Sequence, residues 1–102
     1  MVKKLNNNYL EELYLTIKQR DKSKRTDSYT KNLLKQGKNK IAQKIGEESS
    51  ELIVDYLNGS KKRTIEEASD LIYHLFVLLY SKKITLNEVK KELQKRNNVR
   101  HK

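Results

Sequence analysis

The sequence predicts an all-α protein, a bundle of four to five helices whose core is completed by dimerisation. Three observations carry that expectation. Apolar residues recur three and four positions apart in successive segments, the spacing that gathers them on one helix face. No stretch alternates apolar and polar residues with the period of a strand. Capping residues, Gly and Asn-Gly punctuate the segments where helices would start and stop. At 102 residues the chain reads as one domain, 1–102, large enough for one modest core.

A first helix is expected from about Tyr9 to Arg20, capped by Asn8, with Leu10, Leu13, Tyr14 and Ile17 facing inward. The run RDKSKRTDS has no apolar residue and reads as an exposed loop. Ser28 then caps a short second helix, SYTKNLLKQ, which Gly37 stops. A third helix from about Asn39 to Leu57 would turn Ile41, Ile45, Leu52, Ile53 and Tyr56 inward, and Asn58-Gly59 ends it. Thr64 opens the fourth. Thr64 to Glu67 fits the capping-box pattern, which gives Glu67 a purely structural reading as a cap partner. From Leu71 to Leu79 this helix is apolar nearly all round, so it should be buried on most sides. A domain this small can hardly surround a helix unaided, and this is the argument for a dimer. A fifth helix, about Thr85 to Arg96, carries a narrower stripe of Leu86, Val89 and Leu93, and the tail NNVRHK is expected to fray.

Composition narrows the chemistry. There is no Cys, which excludes disulfides and thiol catalysis, and with two His a structural zinc site is not expected. MVKKLNNNYLEEL lacks the apolar core of a secretion signal, and Leu71 to Tyr80 is too short to span a bilayer, so a soluble, cytoplasmic protein without a membrane partner is expected. The formal net charge of +10 invites a nucleic-acid reading, but scattered Lys is mostly solvated surface. Distribution says more. Seven of the thirteen acids lie between Glu47 and Asp70, flanked by strongly basic segments. An acidic centre in a basic shell suits a metal site approached by a polyanion such as a nucleotide polyphosphate.

Those acids are the chemistry-bearing motif. Glu47, Glu48 and Glu51 fall on one turn of the third helix, Glu67 and Asp70 on one turn of the fourth. Folded back as a hairpin, the two helices would bring four or five carboxylates together. Like charges in a poorly solvated pocket repel unless a cation sits among them, and oxygen donors favour Mg²⁺. Such pairs are common as solvated faces, but Ile45 and Leu52 bracket the first set and Leu71 follows the second. Acids beside a core are usually paired or metal-bound, and Lys44 and Arg63 can neutralise only two of them. Gly46, costing about 1 kcal/mol against Ala inside a helix, allows close packing or leaves room for a ligand. His74, one turn beyond Asp70, reads as a hydrogen-bonded core histidine, or else as a ligand or proton donor; Tyr73 carries the same two readings.

The blocks LEELYLTIKQR (Leu10 to Arg20), SYTKNLLKQGKNKIAQKIGEE (Ser28 to Glu48), Glu51 and EASDLIYHLFVLL (Glu67 to Leu79), with LQKR as a weaker closing match, together resemble the phosphoribosyl-ATP pyrophosphatases of the MazG-like all-α pyrophosphohydrolases. The EExxE…ExxD carboxylates mark the superfamily; the TIKQR, SYT and DLIYH blocks point to this member of it. Ser49 and Ser50 stand where small apolar residues are more usual. The resemblance implies Mg²⁺-dependent hydrolysis of phosphoribosyl-ATP to phosphoribosyl-AMP and pyrophosphate, the second step of histidine biosynthesis, with more than one ion. It implies Glu48, Glu51, Glu67 and Asp70 as metal ligands, and Glu47 as a further catalytic carboxylate or outer ligand. The ions would neutralise phosphate oxygens and lower the pKa of a bound water. Lys18, Arg20, Lys35, Lys38, Lys40 and Lys44 are candidates for gripping phosphate, and Ser28, Tyr29 and Thr30 for hydrogen-bonding the substrate or capping the second helix. The cyclohydrolase domain often fused in this family is not seen in this sequence, so one step only is expected of the chain.

Two rivals differ in kind. A nucleotide-pool-cleaning NTP pyrophosphohydrolase would keep the carboxylates and change the substrate. A basic helical RNA- or DNA-binding module would show salt-sensitive binding, and it has no use for five central acids.

Overall fold

A computed structural model of the chain describes residues 8–100. It contains five helices, α1 (Tyr9–Lys22), α2 (Tyr29–Gln36), α3 (Lys38–Asn58), α4 (Lys61–Ser81) and α5 (Leu86–Arg100), and no strand among the described residues. The all-α expectation holds. No helix of the described residues is long and apolar enough to cross a membrane.

Local chemistry explains most of the boundaries. Asn8 occupies the N-cap position of α1 but makes no side-chain capping hydrogen bond, and the helix runs two residues past the expected Arg20. Ser28 caps α2 as expected, its hydroxyl accepting from the Lys31 amide at 3.2 Å. Gly37 ends α2 at φ 92°, a left-handed conformation that L side chains rarely adopt, and the next residue starts α3.

Two turns differ from expectation. The fourth helix begins at Lys61, not Thr64, because Ser60 is its N-cap and accepts from the Arg63 amide at 3.1 Å. Thr64 therefore lies inside the helix, where its hydroxyl donates to the carbonyls of Ser60 (2.9 Å) and Asp55 (3.2 Å). Glu67 is thus no cap partner. The capping box stands instead at the head of α5, where the Glu88 amide donates to the Thr85 hydroxyl at 3.2 Å and Glu88 accepts from the Thr85 amide at 3.4 Å. That helix extends to Arg100, through most of the tail expected to fray; the last two residues lie outside the described ones.

The α3–α4 hairpin is the frame, an antiparallel pair joined at Gly59 and Ser60. The turn is tight. A Cβ at Gly59 would lie 2.9 Å from the Asp55 backbone, so the close approach needs a glycine. Ile17 of α1, Leu33 of α2, Ile41 of α3 and Phe76, Val77 and Leu79 of α4 form the core, with Leu13, Tyr14, Leu34 and Tyr73 packed against it. Burying each such aliphatic side chain contributes roughly 1.5–3 kcal/mol. At one end of the bundle the Tyr14 hydroxyl donates to the Ile84 carbonyl and the Tyr80 hydroxyl to Asp21, both at 2.6 Å. Their rings meet edge-on at 6.1 Å, tying α1 to the end of α4.

The core is smaller than periodicity promised. Ile53 and Tyr56, expected inside, are 59% and 76% exposed, and Leu10 is 50% exposed. Ile72 and Leu75 also reach the surface, so α4 is not surrounded within one chain. Leu93, the last residue of the α5 stripe, is exposed as well. We expect Ile17→Ala, at a fully buried position, to lower the urea-derived unfolding free energy by about 2–5 kcal/mol. Leu10→Ala should stay within about 0.5 kcal/mol of the parent.

Candidate metal centre

Two turns of helix build the site. Glu48 on α3 and Glu67 and Asp70 on α4 each offer a carboxylate oxygen, and these three oxygens lie within 4.8 Å of one another. Glu48 and Glu67 are buried, at 7% and 3% exposure; Asp70 is open to solvent. Helical spacing puts Glu67 and Asp70 on one face of α4, and the tight hairpin turns that face toward α3.

Each buried acid meets a polar or charged neighbour through one oxygen only. Arg63 donates to Glu67 Oε1 at 2.6 Å. Glu48 Oε1 faces the Lys44 ammonium at 3.9 Å and the His74 ring at 4.0 Å. The remaining oxygens, Glu48 Oε2 and Glu67 Oε2, are buried without any hydrogen-bond partner. An unpartnered buried carboxylate oxygen costs several kcal/mol, and two in one hollow make the cost more acute. A hard divalent cation with oxygen ligands satisfies both, so the donor set fits Mg²⁺ better than a transition metal that prefers nitrogen or sulfur.

Glu67 registers the crowding. Burial foremost, then the neighbouring Glu51 carboxyl, and more weakly Asp70, push its pKa up from 4.5 to about 6, against the opposing pull of Arg63. Glu51 therefore stands beside Glu67, but it is exposed and outside the oxygen triad. Glu47 is exposed on α3, where it accepts from Gln43 at 2.8 Å and faces Lys44 at 3.9 Å. Asp55, two turns along α3 from Glu48 and half-buried, extends the acid row toward Arg63 at 3.9 Å. Its four-residue offset from Glu51 is the sequence signal that puts it on the same helix face.

A partly buried aromatic network flanks the acids. His74 Nδ1 lies 2.9 Å from the Asp70 carbonyl, an acceptor only, so Nδ1 carries the proton and donates. Nε2 then accepts the Tyr29 hydroxyl at 2.9 Å. Both ring nitrogens are engaged, and His74 is a satisfied core histidine, not a ligand. Fully buried Thr30 hydrogen-bonds the Tyr73 hydroxyl, whose pKa burial pushes up.

The candidate phosphate-binding residues scatter. Lys44 sits beside Glu48, and Tyr29 reaches the site through His74. Ser28, Tyr29 and Arg20 line a groove of about 280 Å³ with Arg25, which Asp27 pairs at 3.0 Å. Lys18 is elsewhere, in a cavity of about 480 Å³ with Tyr14, Asp21, Tyr80 and Lys83. Two residues along a helix turn the side chain by roughly 200°, so Lys18 and Arg20 cannot serve one pocket. Lys38 lines a small apolar groove with Ile41 and Leu78, ten residues and about 15 Å of helix from Glu48. The structure therefore does not bring Lys18 and Lys38 to the carboxylates.

Comparison with known proteins follows the same blocks. The family described as phosphoribosyl-ATP pyrophosphohydrolase matches residues 10–97. The chain is 46% identical over 92 residues to the phosphoribosyl-ATP pyrophosphatase of Sulfolobus acidocaldarius, covering 90% of this chain and 97% of that one. It is 42% identical over 90 residues to the phosphoribosyl-ATP pyrophosphatase of Bacillus cereus, covering 88% and 84%. It also matches a histidine biosynthesis bifunctional protein of Caldanaerobacter subterraneus at 46% over 87 residues, 85% of this chain but 42% of that one.

The raised Glu67 pKa has a sign that can be checked. Folded Glu67 holds its proton more tightly than the unfolded chain does, so this stabilisation is complete below pH 4.5 and is lost as pH rises through about 6. Urea unfolding in the presence of a chelator should show stability falling across that window. Glu67→Gln should remove much of the fall.

Proposed function

The chain belongs to the phosphoribosyl-ATP pyrophosphohydrolase family, and from that premise we propose that it hydrolyses phosphoribosyl-ATP to phosphoribosyl-AMP and pyrophosphate, the second step of histidine biosynthesis. The observation that carries the chemical half of this reading is the pair of buried, partnerless oxygens on Glu48 and Glu67 within one carboxylate triad. Glu48, Glu67 and Asp70, with Glu51 as the fourth, would hold Mg²⁺. When bound, such an ion neutralises phosphate oxygens and acidifies water.

The rest of the work falls to the chain's own groups. Phosphoryl transfer demands mainly positioning and neutralised charge. Lys44, half-buried beside Glu48, supplies a fixed positive charge at the edge of the hollow for the triphosphate. Tyr29, anchored by His74, presents a half-exposed ring between the acids and the Arg20 and Ser28 groove, and these groups orient the remainder of the substrate. A cysteine-free chain acting on a nucleotide fits the cytoplasm.

Purified protein supplied with Mg²⁺ should turn over phosphoribosyl-ATP in preference to a panel of ordinary NTPs. Glu51→Gln and Asp70→Asn should each cut that turnover by roughly 10²-fold or more, beyond the 10–100-fold typical of losing an outer-shell partner. Their helical circular-dichroism spectra should be largely unchanged. Turnover of NTPs alone would overturn the substrate assignment, and near-normal rates in either variant would overturn the ligand assignment.

The functional unit is a homodimer. Ile53, Val54, Tyr56, Leu57 and Ile65 crowd the exposed side of the α3–α4 hairpin, more apolar surface than a monomer keeps without purpose. Gly46, Ser50, Ile53 and Leu57 follow at helical spacing, and a Cβ at Gly46 would meet nothing within 4 Å, so a second copy's helix has room to approach there. Sedimentation equilibrium should give twice the 12.1 kDa chain mass, and Ile53→Asp should dissociate the dimer. A monomeric wild type at micromolar concentration would refute it.

A further inference from the structure

We propose that Arg63 is a positioning residue of the carboxylate site: its guanidinium clamps one oxygen of Glu67 so that the other is presented to the cation. This rests on the reading of Glu48, Glu67 and Asp70 as a cation site. Arg63 lies one helical turn before Glu67, and its Nη2 donates to Glu67 Oε1 at 2.6 Å. The other arm is also fixed, since Nη1 donates to Glu66 Oε1 at 3.0 Å. Nη2 in addition faces Asp55 Oδ2 at 3.9 Å, which references the guanidinium to α3 as well as to α4.

The division of labour on Glu67 is the central observation. Its side chain is 4% exposed, with Oε1 bound by Arg63 and Oε2 buried and unpartnered. A carboxylate so held has one rotamer and one free lone-pair face. Glu48 has no equivalent clamp: Lys44 at 3.9 Å and His74 at 4.0 Å stand beyond hydrogen-bond distance from its Oε1. Among the described residues, Arg63 is the one cation within hydrogen-bonding distance of a triad carboxylate. Arg is suited to this, because a planar fork can bind two acceptors at once where an ammonium acts as a point charge.

Charge and orientation make opposite predictions here. If Arg63 acted only as a nearby positive charge, removing it would make the hollow more negative and tighten cation binding. If it positions Glu67, removing it frees the carboxylate to rotate, and binding must order it again, so affinity falls. Outer-shell partners of metal ligands typically contribute 10–100-fold in affinity.

The experiment measures Mg²⁺ binding itself, by titration calorimetry on chelator-stripped protein without substrate. Wild type, Arg63→Met and Lys62→Met are compared, the last removing the same charge from an exposed neighbouring position. We expect Arg63→Met to bind Mg²⁺ about ten-fold or more weakly than wild type, and Lys62→Met to bind as tightly as wild type or tighter. Should circular dichroism show that Arg63→Met has lost its helices, Arg63→Lys takes its place, with weaker binding again expected because the fork is lost. Unchanged or tighter binding in the folded Arg63 variant would overturn the proposal while leaving the cation site intact. Absence of Mg²⁺ binding in wild type would instead overturn the reading on which it rests.

Discussion

The structure turns on a single constraint: two acids that belong in water are held in a dry seam between α3 and α4. Burying Glu48 and Glu67 face to face works against folding, through desolvation and mutual repulsion. A chain of 102 residues has only a modest core to set against that cost. The remaining architecture reads as the means of tolerating it. Two cations, Lys44 and Arg63, stand against the outer oxygens, and neither reaches the inner pair. The hollow is thus neutralised from outside and left negative inside.

Rigidity supports that arrangement. Gly59 lets the chain reverse against the Asp55 backbone, Ser60 restarts the helix at once, and the Thr64 hydroxyl bridges back to Asp55. These contacts set the register in which position 48 faces positions 67 and 70. Behind the acids, the pairs Tyr29–His74 and Thr30–Tyr73 fix α2 against α4 by partly buried polar contacts. In such surroundings a satisfied hydrogen bond rigidifies, whereas a missing one would be costly.

Much of this was legible in the residues. Three- and four-residue spacing located every helix, and the run from Glu47 to Asp70 identified the acids that meet. What escaped did so for physical reasons. Periodicity shows that Ile53 and Tyr56 belong to an apolar face but not whether that face meets its own chain or another, and in one chain they stand open. Capping patterns are short enough to recur: Thr64 to Glu67 and Thr85 to Glu88 look alike, whereas Ser60, the cap that α4 uses, has Arg63 rather than an acid three residues on. Lysines are the hardest. Lys18 and Arg20 stand two residues apart in the sequence yet face different cavities, because charge type says nothing about helix face until the register of packing is known.

The α3–α4 hairpin, finally, makes the candidate centre local in the chain. Its acids lie between Glu48 and Asp70, on consecutive elements joined by two residues, Gly59 and Ser60. Closing so short a connection costs little conformational entropy, and low contact order favours rapid assembly. The acid-bearing unit can therefore form early, before the flanking helices dock. The flanking helices then supply the rest of the core, Ile17 from α1 and Leu33 from α2.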